Sequence, residues 1–323
     1  MKPQNYKVKD LEVKKKFIEY RKNKNLINMK HLNLSWSNWG FGIEPFESSI
    51  IRLSNNNIHY IELHGNKYGN DIGYNAKEVN QIVDHYGVKV AGICGMVFPE
   101  SEFASNNPFV RQRCIDYFRR NVDLCKEVNG SYILFAPGAV GRPKKYDENE
   151  FFRAAETINK VADYFLQNGV RGAVEPVRPE EVSFCHTFAE AKRLLDMIDH
   201  PGVKHIAGDV FHMLSGEKHV ASTLIEYGDL IINLHLADTN RRALGTGSLD
   251  LDLVIMALYI VGYNNGGCFC TPEPLGAGSN PFVAMYGTPE SEVLDELVKK
   301  TASYFYEREK EILDASDIEI LNS

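Results

Sequence analysis

A chain of 323 residues, 44% hydrophobic and 24% charged, has the length and composition of one globular α/β barrel domain. Its formal net charge of −7 argues against a nucleic-acid partner, because neutralising phosphates needs a basic surface. Six scattered cysteines without a CxxC spacing read as reduced thiols of a cytoplasmic protein, and no apolar run approaches the ~20 residues of a membrane span or suggests a signal peptide.

Residues 1–30 form a basic extension with ten Lys and Arg against three Asp and Glu, where Leu11 to Tyr20 is expected as a short, solvated helix leaning on an acidic body. A single domain is expected over 31–315, followed by a tail at 316–323. The first strand is placed at Met29 to Trp36, with Trp36, Trp39 and Phe41 in its exit loop as either rim packing or a wall for a ligand's apolar face. Helix Glu44 to Asn55, strand Ile58 to His64, helix Ala76 to Tyr86 and strand Val88 to Val97 follow. Helix Pro108 to Val128, strand Ser131 to Ala136 and helix Glu148 to Gln167 come next. The second half places strands within 169–177, 204–213, 230–236 and 266–275, alternating with helices Ala189 to Met197, Ala221 to Tyr227, Leu251 to Val261 and Ser291 to Leu313. Eight strand and helix pairs without a linker predict a (β/α)8 TIM barrel.

Four successive strands of this pattern end in a chemically active residue: Glu175, Asp209 with His212 three positions on, His235 and Glu273. A charged group closing an apolar strand is rare unless it is paired or metal-bound. In a parallel barrel such strand ends converge on one face, where catalytic groups collect. Three carboxylates and one imidazole form a hard ligand set that suits Mn²⁺, Mg²⁺ or Co²⁺ better than a thiolate-type zinc site. Strand parity supports the grouping. It puts Asn233 with His235, Ala173 with Glu175, and His205 and Ala207 with Asp209 on the interior, while Cys268 and Cys270 point outward as packing residues. Arg171 shares the parity of Glu175 at the opposite strand end, with no partner assigned.

The runs EPVRPEEVSFCHT, GDVFHM, HLADTNRRALGTGSLDL and TPEPLG resemble the sugar phosphate isomerase/epimerase superfamily of xylose isomerase-like barrels, and within it the ketose 3-epimerases. The likeness covers roughly residues 110–275. It implies one divalent metal ion, Mn²⁺ foremost with Co²⁺ or Mg²⁺ as alternatives, on Glu175, Asp209, His235 and Glu273, and substrate contacts from Glu181, His212 and Arg241. It further implies a small-molecule sugar as partner, and a homo-oligomer is expected. The chain departs from the epimerases at Arg178-Pro179, where they usually carry Asn-Arg, so the identity of the sugar stays open. Endonuclease IV, a more distant relative, needs histidines that strand Val88 to Val97 and the loop at Asp238 do not supply, which argues against DNA repair.

A ketose bound through its carbonyl and adjacent hydroxyl has an acidified C–H between them, because a metal stabilises the developing ene-diolate. Glu175 and Glu273 are the expected catalytic pair, one removing the proton and the other returning one to the opposite face of C3. An isomerase of the aldose/ketose or inosose type, or a lyase that dehydrates an oxo-sugar by β-elimination, would use the same first step. Glu180 or His186 could be the extra acid that a lyase needs. The turn GAGSN at 276–280 lacks a helix-opening phosphate loop, so an unphosphorylated or weakly anionic sugar is expected.

Overall fold

A computed structural model of the chain describes residues 5–24, 29–65, 73–276, 278 and 280–323. Seven short parallel strands pair in sequence order: β1 (Tyr60–His64), β2 (Lys89–Cys94), β3 (Tyr132–Phe135), β4 (Arg171–Val174), β5 (Val203–Asp209), β6 (Ile231–Leu236) and β7 (Phe269–Pro272). Their burial is nearly continuous rather than alternating, as expected of a sheet covered on both faces. The gap between β7 and β1 is where the first strand was expected at Met29 to Trp36. There the chain makes only single bridges, Leu34 to Cys270 and Ser37 to Glu62. Ser35 N–H donates to Cys270 O at 2.8 Å and Glu62 N–H to Trp36 O at 2.8 Å, so this segment fills the ring and leaves a nearly closed TIM barrel. The ladder along this segment is incomplete: the Asn33 side chain, not a backbone N–H, takes the Cys268 carbonyl at 3.1 Å, and Pro272, which accepts from Ser37 N–H, has no N–H to donate back.

The helices in chain order are α1 (Asn5–Lys22), α2 (Phe46–Asn55), α3 (Ala76–Tyr86), α4 (Pro108–Glu127), α5 (Glu150–Gln167), α6 (Phe188–Ile198), α7 (Val210–Gly216), α8 (Val220–Glu226), α9 (Leu251–Ile260), α10 (Phe282–Met285), α11 (Ser291–Asp314) and α12 (Asp317–Asn322). Local chemistry sets several of their starts. Asn107 accepts from Phe109 N–H ahead of Pro108 at the head of α4, and Thr187 with Glu190 forms a capping box on α6. None of the described helices is long and apolar enough to cross a membrane.

The N-terminal helix corrects the expectation of a solvated segment. α9 reads LDLVIMALYI, apolar on nearly every face, and a helix of that kind must be covered on more than one side. α1 covers it, burying Val13, Phe17 and Ile18. Lys14 Nζ caps the chain end at Ser323 O (2.6 Å) and Arg21 donates to Ala315 O (2.7 Å), so the basic residues tie α1 to α12 and its approach.

Inside the barrel lies a polar layer. Glu62 on β1 is fully buried; its Oε2 accepts from Tyr132 Oη (2.6 Å) and Asn233 Nδ2 (3.1 Å), and Asn233 Oδ1 accepts from Thr271 Oγ1 (2.6 Å). Gly92 on β2 makes room for this arrangement, since a Cβ there would come within 2.6 Å of the Tyr132 ring. Arg171 finds its partners in the carbonyl of Gly267 (2.6 Å) and the hydroxyl of Ser131 (3.1 Å).

Candidate active site

Each expected ligand stands at the strand end that the sequence pattern assigned to it, and parallel pairing brings them together. Asp209 and His235 are direct partners in the β5/β6 ladder. Glu175 follows β4 and donates its backbone N–H to Phe135 O; Glu273 follows β7 and donates to Leu236 O, so both carboxylates leave the barrel top at fixed height. Asp209 closes β5 and opens α7, its Oδ1 accepting from Phe211 N–H at 2.8 Å. That cap explains the three-residue spacing to His212, which lies on the first turn of α7 with Nε2 at 3.3 Å from Asp209 Oδ2.

His235 is the hub. Its Nε2 is 2.7 Å from Glu62 Oε1, while Nδ1 faces Glu273 Oε2 at 3.4 Å and Glu175 Oε1 at 3.7 Å, buried and without a hydrogen-bond partner. Ligand atoms of Glu175, Asp209 and His235 lie within 4.8 Å of one another. Glu273 reaches the same nitrogen, takes a hydrogen bond from Ser37 Oγ (3.0 Å), and groups as closely with Glu62 and Cys94.

The electrostatics describe a site short of positive charge. Burial, reinforced by Asp209 and Glu273, pushes the Glu175 carboxyl well above the usual carboxylate range, and burial pushes Asp209 up to about 6. Burial would raise Glu273 too, but His235 and the Ser37 hydroxyl hold it below its ordinary value. Burial opposes a charged imidazole at His235, yet Glu273 and Glu62 raise it well above a normal histidine. An orphaned imidazole nitrogen among crowded buried carboxylates fits a hard divalent cation, and an imidazole held by a carboxylate on its other nitrogen is how metal-ligating histidines are commonly oriented.

The expected substrate contacts gather beside this centre. His212, Glu181 and Arg241 line one pocket with Glu175 and Glu273. Glu181 Oε1 accepts from Arg178 Nε (2.7 Å) and Arg241 Nη1 (3.3 Å). Arg241 sits at φ 54°, a left-handed conformation that costs of order 1–3 kcal/mol for a non-glycine residue and persists only where surroundings enforce it. Here Asp238 enforces it: Oδ1 accepts from Thr239 N–H and Leu249 N–H, Oδ2 from Gly245 N–H, and Arg241 N–H donates to the Asp238 carbonyl. Of the exit-loop aromatics, Trp39 joins the pocket wall beside Leu275 and Phe282, with Nε1 on Pro281 O at 2.7 Å. Trp36 and Phe41 stack on each other and serve packing. Glu180 is exposed, and His186 Nδ1 pairs with Val177 O (2.8 Å). Ala277 and Ser279 of the GAGSN turn lie outside the described residues.

Glu62 and Cys94 were not anticipated as part of the site. Glu62 was legible, as a lone acid inside the apolar run YIELH whose parity sets it apart from Ile61 and Leu63, but it lies mid-strand, away from the ends where ligands were sought. Cys94 closes β2, and burial keeps its thiol well above the ordinary range.

Comparison with known proteins places these features. The model of the xylose isomerase-like TIM barrel family matches residues 51–283. The ketose 3-epimerase of Arthrobacter globiformis is 25% identical over 168 residues, 51% of this chain and 57% of the relative. The 3-dehydro-D-guloside 4-epimerase of Escherichia coli is 25% identical over 191 residues, covering 54% of this chain and 69% of that protein. The crystal structure of the D-allulose 3-epimerase from Methylomonas sp. superimposes with a TM-score of 0.74 at 18% identity, covering 86% of this chain and 98% of that one. The match to the Arthrobacter enzyme thus spans little more than half of its length, whereas the likeness in fold extends over nearly the whole barrel.

Proposed function

Because the chain belongs to the xylose isomerase-like TIM barrel family, we propose that it is a divalent-metal-dependent sugar epimerase inverting the carbon beside a keto group, C3 of a ketose foremost. One observation carries this reading. Glu175 and Glu273 come from strands that are not neighbours and reach the same atom, His235 Nδ1, at 3.7 and 3.4 Å. Two carboxylates so placed can hold a carbon between them, one taking its proton and the other returning one to the opposite face. A divalent ion on Glu175, Asp209, His235 and Glu273, Mn²⁺ best matching the ligand set and Co²⁺ or Mg²⁺ next, supplies the Lewis acidity that loosens this C–H bond. His212 and Arg241 hold substrate oxygens; the guanidinium keeps its charge throughout the cycle. Trp39, Leu275 and Phe282 limit water at the reacting carbon. The relatives that act at C3 and C4 of keto-sugars support the class while leaving the position open. β-Elimination has less support, since it needs an acid at the leaving group: Glu180 is exposed and His186 Nδ1 is engaged by a backbone carbonyl.

The test is incubation of the Mn²⁺-loaded protein with a panel of ketoses and oxo-sugars in D₂O, followed by chromatography and NMR of the products. An epimer carrying deuterium at the inverted carbon is expected. A dehydrated product would move the assignment to a lyase, and an aldose to an isomerase.

A further inference from the structure

Beside the proposed reaction centre two arginines share a single carboxylate. Arg178 Nε and Arg241 Nη1 both donate to Glu181 Oε1, at 2.7 and 3.3 Å, and both guanidinium groups reach Gly278 O at 3.3 Å. Both also lie over the Phe211 ring, their central carbons 4.6 and 4.7 Å from its centroid. Two cations therefore occupy one small volume, walled by an aromatic ring and bridged by the Glu181 carboxylate, while Arg241 also feels Asp209 and Glu273. Like charges this close repel, so the pair is held together by the acids and the ring around it.

Two residues that line the pocket keep unpaired capacity. Arg241 is 2% exposed, and its Nε is buried without a hydrogen-bond partner. His212 Nδ1, lining the same pocket, is likewise buried and unpartnered. Leaving a buried donor unmade costs about 1–3 kcal/mol, so such a group is commonly reserved for a ligand. Guanidinium groups fit planar, two-oxygen acceptors such as carboxylate and the paired oxygens of phosphate, and two of them converging can fork onto one such group where a sugar hydroxyl offers a single oxygen.

We propose that the Arg178 and Arg241 pair is an anion subsite and that the substrate is an oxo-sugar bearing a carboxylate or phosphate at the end of its carbon chain. This rests on reading the site as that of a sugar epimerase, and it narrows the substrate to acidic sugars. Arg178, 15% exposed, receives the anion, and Arg241, which lines the pocket, holds it from within.

The probes are D-fructose, D-fructuronate and D-fructose 6-phosphate, which differ at C6 alone, titrated by calorimetry into the Mn²⁺-loaded protein. An anionic member is expected to bind at least about tenfold more tightly than fructose, the size of one charge-assisted hydrogen bond. In Arg178→Gln that advantage shrinks to within about threefold, and Arg178→Lys, which keeps the charge without the planar fork, recovers part of it. A preference for fructuronate identifies the anion as carboxylate, and a preference for the 6-phosphate identifies it as phosphate. Equal binding of all three, tighter binding of fructose, no measurable binding of any, or an anionic advantage untouched in Arg178→Gln would each overturn the subsite. Because binding is read without turnover, a tight anionic probe that exchanges no proton for deuterium would count against the epimerase reading and leave the subsite standing.

Discussion

Glu62 Oε1 stands 2.7 Å from His235 Nε2, joining β1 to β6 across the barrel although the two residues are 173 positions apart. The contact fixes which imidazole nitrogen faces the acid cluster: with Nε2 turned to Glu62, Nδ1 is left for Glu175 and Glu273. A carboxylate behind a ligating histidine raises its basicity, and losing one typically weakens metal binding ~10- to 100-fold. Glu62→Gln keeps the shape and removes the charge, so Mn²⁺ affinity measured by competition with a chelator should fall within that range. An unchanged affinity would show that Glu62 serves the barrel's packing alone.

The same carboxylate also bears on stability. Tyr132→Phe removes the donor at 2.6 Å from Glu62 Oε2 and leaves that oxygen with Asn233 Nδ2 as its recorded partner at 3.1 Å. A buried acceptor losing one of two donors should cost about 1–3 kcal/mol, at the lower end because Asn233 remains. Urea unfolding should show a lower midpoint with an unchanged slope. A midpoint equal to the parent's would show that the Tyr132 hydrogen bond contributes nothing net to stability.

How far the site could be read from residues alone depended on where an anomaly stood. Glu175, Asp209, His235 and Glu273 were legible because each interrupts an apolar run at a strand end, and parallel pairing leaves such residues one place to go. Glu62 obeys the same logic but lies inside β1 rather than at its end, where an acid does not stand out as a strand-end residue. The arginine pair could not be read, because Arg178 and Arg241 belong to loops after β4 and β6, and their meeting at Glu181 depends on loop geometry that periodicity does not encode. In the fold, seven strands followed the pattern. The segment ahead of β1 pairs only at isolated points, where the Asn33 side chain takes a carbonyl of the facing strand and Pro272 has no N–H to return. The packing of α1 was hidden because its apolar residues are thinly spaced among lysines. The demand for them comes from α9, far along the chain.

Acid should loosen the loop that carries Arg241. Burial acts to raise Asp238, but the amides of Leu249, Gly247, Thr239 and Gly245 outweigh it and hold the carboxyl below its ordinary value. A depressed folded-state pKa means stability that is fully present above the unfolded value, about 3.9, and is lost as pH falls through the lower folded value. Protection of the Gly245 and Leu249 amides against hydrogen exchange should therefore hold at neutral pH and decline in acid below about 4. Asp238→Asn should lose protection at neutral pH and differ least from the parent in acid. A variant as well protected as the parent at pH 7 would remove Asp238 as the organiser of this loop.

Metal dependence has a direct readout. One divalent ion per chain is expected by elemental analysis, with activity removed by chelation and restored by Mn²⁺ or Co²⁺. Asp209→Asn and His235→Ala should lower both occupancy and turnover, since the first removes a ligand's negative charge and the second the imidazole nitrogen from the group of ligands within 4.8 Å. Parental metal content and activity in both variants would displace the ion from this cluster.

The sharpest expectation concerns the two glutamates as bases. Glu175→Gln and Glu273→Gln each retain an oxygen that can face a cation but cannot accept a proton from carbon, so occupancy should survive better than turnover. Loss of general acid–base catalysis costs ~10² to 10⁴ in rate, more than a modest fall in occupancy explains. The two variants should also part in partial reactions. If each carboxylate serves one face, a given epimer will still exchange its C–H for deuterium in the variant that keeps the base on its side, while conversion to the other epimer stops. Measured by NMR in D₂O with both epimers as starting material, the variants should show opposite patterns: exchange without inversion from one epimer in Glu175→Gln and from the other in Glu273→Gln. Near-parental turnover with full metal in either variant would defeat the scheme, and exchange from both epimers in one variant with none in the other would point to a single base serving the two faces.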